Sequence, residues 1–192
     1  MKENLHINPW KTLKSDVVFE TKWIKVTKHD VLNPSGTAGL YGTVSFKNLA
    51  IGIIPIDNEG FTWLVGQWRY PLEAYSWEII EGGGPLAVDP LESAKRELKE
   101  EAGLHAQKYT LICNMHTSNS VSDEYCYIYV AQDLTLVGAE PDENEDLTLK
   151  RIPFEKAVEM VMKGEITDSL SVAGILKAKI LFDEGVILST KK

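Results

Sequence analysis

Apolar and polar positions alternate through the first quarter of the chain. Val17–Glu20, Ile24–Leu32 and Leu40–Ser45 alternate or carry β-branched residues, which predicts three strands. Asn33-Pro34-Ser35-Gly36 lies between the second and third, where proline fixes one dihedral and glycine admits positive φ, so the segment predicts a turn. Ala50–Ile56 and Phe61–Gly66 are apolar runs split by Asp57-Asn58-Glu59-Gly60, the pattern of a hairpin. Ser76–Ile80 predicts a short strand leading into a glycine-rich turn at Gly82–Gly84.

The period then becomes helical. Leu91, Ala94, Leu98 and Ala102 recur at helical spacing within Asp89–Ala102 and form a stripe suited to burial. Tyr109–Met115 and Glu124–Gln132 predict two more strands, joined by the polar segment Thr117–Asp123. After the acidic stretch Glu140–Asp146, Leu147–Ile152 predicts a strand and Phe154–Lys163 a helix. A last helix runs from Ser169 to about Glu184, with Asp168 as its cap. Strands first, then strands mixed with helices, predict an α+β sandwich rather than a doubly wound parallel sheet.

Composition narrows the function classes. The 192 residues suffice for one full core or a core plus a small extra layer. No apolar run is long enough to span a bilayer and the N-terminus has no apolar leader, so a cytoplasmic protein without membrane contact is expected. The cysteines, Cys113 and Cys126, match no zinc spacing and are expected to be reduced core residues. A net charge of −8 argues against nucleic-acid binding, which relies on basic surface. It also disfavours an anionic substrate unless bound divalent cations reverse the local charge.

The first helix carries the candidate chemistry. Asp89 suits the N-cap, Pro90 suits the first helical position, and Glu92 completes a pattern like a capping box. Gly103 supplies a left-handed stop. Glu97, Glu100 and Glu101 are three and four residues apart and are expected to project to one side, off the buried stripe. Such faces are usually just solvated, and like pairs repel by a few tenths of a kcal/mol. Arg96 can offset part of this by pairing with Glu100 at i+4. A cluster of hard oxygen donors between a glycine-rich segment and a glycine stop suits Mg²⁺, with Mn²⁺ as the alternative.

Gly82–Leu104, GGGPLAVDPLESAKRELKEEAGL, resembles the Nudix box. Gly82, Arg96, Glu97, Leu98, Glu100, Glu101, Gly103 and Leu104 match, whereas Val88 stands where the box has its first glutamate; Asp89 and Glu92 are the candidates to substitute. From about Asn8 to Ala178 the chain resembles the branch of ADP-ribose pyrophosphatases and nucleoside diphosphate sugar hydrolases, through Asn8-Pro9-Trp10, Leu64–Pro71, Trp77–Gly83, Glu143–Asp146 and Gly164–Ile175. The resemblance implies a Nudix α/β/α sandwich with a mixed central sheet over residues 48–192. It implies a preceding N-terminal antiparallel β-sheet over residues 1–47, through which a homodimer forms.

The implied activity is Mg²⁺-dependent hydrolysis of a nucleotide sugar to a nucleoside monophosphate and a sugar phosphate. Metal would be held by Glu97, Glu100, Glu101 and the carbonyl of Glu81. Arg69 would contact the diphosphate, Glu78 would join that network, and Gly82 and Arg96 would line it. Trp23 and Tyr41 are candidates to stack on the base, and Ser120 and Asp123 to bind sugar oxygens. Thr117–Glu124 lacks the proline common in ADP-ribose enzymes of the branch, which keeps GDP-mannose beside ADP-ribose as a substrate. Two other readings are a Nudix hydrolase of dinucleoside polyphosphates or nucleoside triphosphates, and a non-catalytic ADP-ribose sensor. The long N-terminal segment speaks against the first, and the complete REL-KEE half of the box against the second.

Glu143 is the implied residue that activates the attacking water, with Glu140, Glu145 and Glu100 as the other catalytic candidates. Glu143→Gln is expected to abolish release of nucleoside monophosphate, while Glu140→Gln retains it. The reverse pattern would move the role to Glu140.

Overall fold

The computed structural model describes residues 7–138 and 146–187. The chain divides into two compact units. The first comprises the described residues up to Lys47 together with Ser118–Glu124. Its three strands, β1 (Lys11–Glu20), β2 (Ile24–Leu32) and β3 (Ala38–Phe46), form an antiparallel sheet in the order β1-β2-β3. The turn after β2 forms as its residues predict: Asn33 Oδ1 accepts the N–H groups of Ser35 (3.0 Å) and Thr37 (2.9 Å), and Gly36 has φ of +82°. β1 begins six residues before the predicted Val17, because Lys11–Asp16 pairs along β2 whatever its side chains.

Ser118–Glu124 docks on β3 of this unit. Val44 N–H donates to the Val121 carbonyl at 2.8 Å, Phe46 N–H to Asp123 Oδ1 at 2.8 Å, and the Tyr41 hydroxyl to the Ser120 carbonyl at 2.5 Å.

Among its described residues the second unit holds two sheets, three α-helices and a short 3-10 turn at Tyr70–Leu72. One sheet has the order β7-β4-β9-β8, from β7 (Ile80–Pro85), β4 (Asn48–Pro55), β9 (Tyr125–Leu136) and β8 (Leu104–His116). β4 and β9 run parallel and the other pairs antiparallel, so this central sheet is mixed. The other sheet, β10-β5-β6, is built from β10 (Thr148–Pro153), β5 (Phe61–Arg69) and β6 (Ala74–Glu78).

Alternation buries both faces of the central sheet. Ile51 and Ile53 of β4 and Tyr129 and Ala131 of β9 pack with Ala94, Leu98 and Ala102 of α1 (Pro90–Ala102). Ile54, Cys126, Ile128 and Val130 point the other way, onto Ala157 and Met160 of α2 (Phe154–Met162) and Ile175 and Ala178 of α3 (Ser169–Asp183). The result is the expected α/β/α sandwich. Cys126 is buried in this core and Cys113 is half-buried, and neither forms a disulfide among the described residues. No helix among the described residues is long and apolar enough to cross a membrane.

Three local expectations are corrected. The residues around Asp57–Gly60 form a turn, but β4 and β5 belong to different sheets, joined by the single bridge Ile56↔Thr62. β5 instead pairs with β6 and β10, which use up both its edges. Secondly, Ser76–Ile80 is not one strand: the chain changes sheets at Ile79, with Glu78 ending β6 and Ile80 starting β7. Thirdly, Gly82–Gly84 is not a turn but the middle of β7, paired with Ile51, Ala50 and Leu49. Gly82 and Gly84 face helix α1 so closely that a side chain has no room. A Cβ on Gly84 would sit 2.9 Å from Ser93 Oγ and 3.0 Å from Ile51 Cγ1.

Candidate active site

Two clusters of charge meet on β7 around Glu81–Gly83. The first begins at the last residue of β5. Gln67 and Arg69 lie two apart on one face of β5, and both reach Glu78. Arg69 Nε donates to Glu78 Oε1 (2.9 Å) and Oε2 (3.0 Å), and Nη2 to Glu78 Oε2 (2.5 Å). The same Nη2 donates to Glu81 Oε1 at 2.6 Å. One planar guanidinium thus ties together the last residue of β6 and the second of β7.

These two acids differ in electrostatics. Burial pushes the Glu78 carboxyl up, but the hydrogen bonds and charge of Arg69, with help from Ser76, outweigh that and leave it below its ordinary value. Glu81 is pushed well above the usual carboxylate range, by burial first and then by the negative charges of Asp168 and Glu78. Its second oxygen, Oε2, is buried without a hydrogen-bond partner.

The second cluster belongs to α1. Asp89 accepts the Leu91 N–H at 2.9 Å and Gly103 closes the helix at φ of +62°, as the sequence predicts. Glu97 and Glu101 do not leave the buried surface, contrary to expectation: they are 7% and 8% exposed. One turn apart and in line with buried Ser93, they form a second buried stripe against β7. The glycines make room for it. A Cβ on Gly82 would lie 2.2 Å from Glu97 Cδ and Oε1. Glu101 Oε2 accepts the Glu81 N–H at 3.3 Å.

Glu100 is separate from that stripe and half-buried. Arg96 connects it to the others, donating to Glu100 Oε2 (2.5 Å), Glu97 Oε1 (2.6 Å) and the Gly83 carbonyl (2.8 Å). Arg96, expected to line the substrate, thus also holds the box together.

The two candidates to substitute for the glutamate missing at Val88 each have a local partner. Asp89 caps the helix and Glu92 pairs with Lys95 at 2.7 Å. Val88 itself is 41% exposed in a turn closed by its N–H on the Pro85 carbonyl.

Trp23, Tyr41, Ser120 and Asp123 all belong to the first unit. Trp23 is more than half exposed, with Lys22 Nζ 4.6 Å from its ring centre. The Tyr41 hydroxyl, the Ser120 carbonyl and Asp123 Oδ1 make contacts that dock Ser118–Glu124. Glu140, Glu143 and Glu145 lie outside the described residues. Asp168, read from sequence only as a helix cap, does cap α3, accepting the Ser171 N–H at 2.7 Å. Its charge also acts on Arg69 and Glu81, a proximity that only the fold creates.

Residues 46–169 match the model of the NUDIX domain, and residues 10–44 that of the nucleoside diphosphate sugar hydrolase N-terminal domain. The chain belongs to the Nudix hydrolase family. It is 30% identical over 167 residues to an ADP-ribose pyrophosphatase of Bacillus subtilis (strain 168), covering 86% of this chain and 90% of that one. It is equally similar, with the same coverage, to a methanol dehydrogenase activator of Bacillus methanolicus. A crystal structure of an ADP compounds hydrolase shares the fold, with a TM-score of 0.83 over 94% of this chain and 98% of that one at 23% identity.

The donor set of this Nudix box fits a hard divalent cation. Its acids are carboxylates gathered along β7, and Glu81 Oε2 is a buried oxygen that needs a partner. Among the described residues no three ligating side chains converge as they stand, since Arg69 and Arg96 draw Glu78, Glu81, Glu97 and Glu100 towards themselves. Gly82→Ala tests the packing that holds Glu97 in place. The new methyl would displace its carboxylate, and Mn²⁺ binding measured by calorimetry is expected to weaken about 10-fold or more.

Proposed function

We propose that this chain hydrolyses the diphosphate bond of nucleoside diphosphate sugars with Mg²⁺, ADP-ribose first among them and GDP-mannose second. The products would be a nucleoside monophosphate and a sugar phosphate. The observation that carries this reading is the Arg69–Glu78–Glu81 cluster. A guanidinium suited to phosphate oxygens stands beside a buried carboxylate oxygen that lacks a partner. The name of the Bacillus subtilis relative supports an ADP-ribose substrate. The match of residues 10–44 supports a nucleotide sugar over a nucleoside triphosphate.

Glu97, Glu100, Glu101 and the Glu81 carbonyl would hold the cation, which when bound neutralises diphosphate charge and acidifies a bound water. Arg69 turns part of its donor set from the carboxylates to the diphosphate, and Glu78 keeps its plane oriented. Glu143 takes a proton from the attacking water. The water oxygen bonds to phosphorus, the bridging P–O bond breaks, and the leaving phosphate keeps that electron pair. Arg96 keeps Glu97 and Glu100 in register with β7.

The first unit supports a homodimer. Val17, Val18, Phe19 and Leu40 are each more than half exposed, and few residues of its sheet are buried. Sedimentation at micromolar concentration is expected to give twice the chain mass; a monomer there would remove the dimer from the proposal.

Activity is tested with Mg²⁺ and a panel of nucleotide sugars, following monophosphate release. Turnover that EDTA stops is expected, whereas no turnover of any member would overturn the reading. Glu101→Gln keeps the shape of a buried side chain but removes its charge. Its kcat is expected to fall by roughly 100-fold or more, with the circular dichroism spectrum unchanged.

A further inference from the structure

The corner between β6 and β7 is fixed from outside both sheets. Ile79 has no partner in either strand register. Its N–H instead donates to Ser171 Oγ at 2.9 Å, a contact between residues 92 positions apart. Ser171 is fully buried in the first turn of α3. Two glycines make the approach possible. A Cβ on Gly174, one turn along α3, would lie 3.0 Å from Ile128 Cγ2 and 3.1 Å from Ile54 Cδ1. A Cβ on Gly52 would lie 2.8 Å from Ile79 Cδ1, so the Ile79 side chain presses on bare backbone. Ile79 is thus held through its main chain on one side and its side chain on the other.

The residues flanking this clamp are functional in the reading above. Glu78 immediately precedes Ile79, Glu81 follows two residues later, and Arg69 bonds to both. We infer that Ser171 is a positioning residue of the diphosphate site: its buried hydroxyl holds the Ile79 main chain and so sets the separation of Glu78 and Glu81 across Arg69. This rests on the metal-dependent diphosphate reading of that site. Removing the hydroxyl leaves a buried N–H without a partner, and the corner relaxes to find one. The two carboxylates then move relative to each other, although neither has been altered.

The test uses the full chain, with Mn²⁺ binding by calorimetry and steady-state turnover of ADP-ribose as separate readouts. Ser171→Ala is compared with Ile175→Val, which trims the buried face of the same helix without touching the corner. Ser171→Ala is expected to weaken Mn²⁺ binding and lower kcat by roughly 10-fold each, with KM changed by only about twofold. Ile175→Val is expected to match the wild type in both once folded. Ser171→Ala with wild-type binding and kcat, or Ile175→Val with equal losses, overturns the positioning role. Should Ser171→Ala fail to fold, Gly174→Ala decides on the same readouts, because its methyl moves α3 while the hydroxyl remains. A wild type that binds Mn²⁺ but hydrolyses no nucleotide sugar overturns the proposed substrate alone, and Mn²⁺ binding then decides the role of Ser171.

Discussion

The contact between helix α1 and strand β7 is the constraint on which the site depends. Ionisable side chains are rarely buried, because desolvation penalises their charge. Here Glu97 and Glu101 are buried on the side of the helix that faces the sheet. That is possible only because the facing strand offers bare backbone at Gly82 and because Arg96 and the Glu81 N–H supply donors. Ala94, Leu98 and Ala102 bring the helix this close through ordinary apolar packing. Core and site are therefore one interface, with apolar contacts on one flank and carboxylates on the other.

Arginine plays the same part twice. Arg69 draws together two acids at a strand junction, and Arg96 draws together two acids along a helix. Each spreads one positive charge over several oxygens, which lowers the repulsion that a dense acidic cluster would otherwise carry. A net charge of −8 makes such local compensation necessary in any site that takes an anionic substrate.

Much of this was legible in the sequence where the physics is local. The cap at Asp89, the stop at Gly103, the turn at Asn33–Gly36 and the Arg96–Glu100 pair all follow from short-range rules. Apolar patterns also located the strands of both units other than β7, although β1 and β8 in particular run further than their patterns. What they could not identify was which sheet a strand joins. Asp57–Gly60 has hairpin chemistry, yet β5 finds its partners in β6 and β10. Gly82–Gly84 reads as a turn because what excludes a side chain at Gly82 and Gly84 lies in α1. Glu97 and Glu101 looked solvated for the same reason. The electrostatic role of Asp168 depends on α3 folding back beside β7, and no spacing along the chain encodes that.

Ser118–Glu124 docks on β3, although it connects β8 to β9 of the other unit. The first unit is thus discontinuous in sequence. Its sheet ends at Phe46, but part of its hydrogen bonding is written more than seventy residues later, at Ser120, Val121 and Asp123. A recombination event that exchanged only the N-terminal segment between two relatives would separate Tyr41 and Phe46 from the loop that answers them. A chimera built at the Lys47–Asn48 junction keeps this lock whole when both halves, with the Tyr41 and Asp123 side chains, come from the same parent.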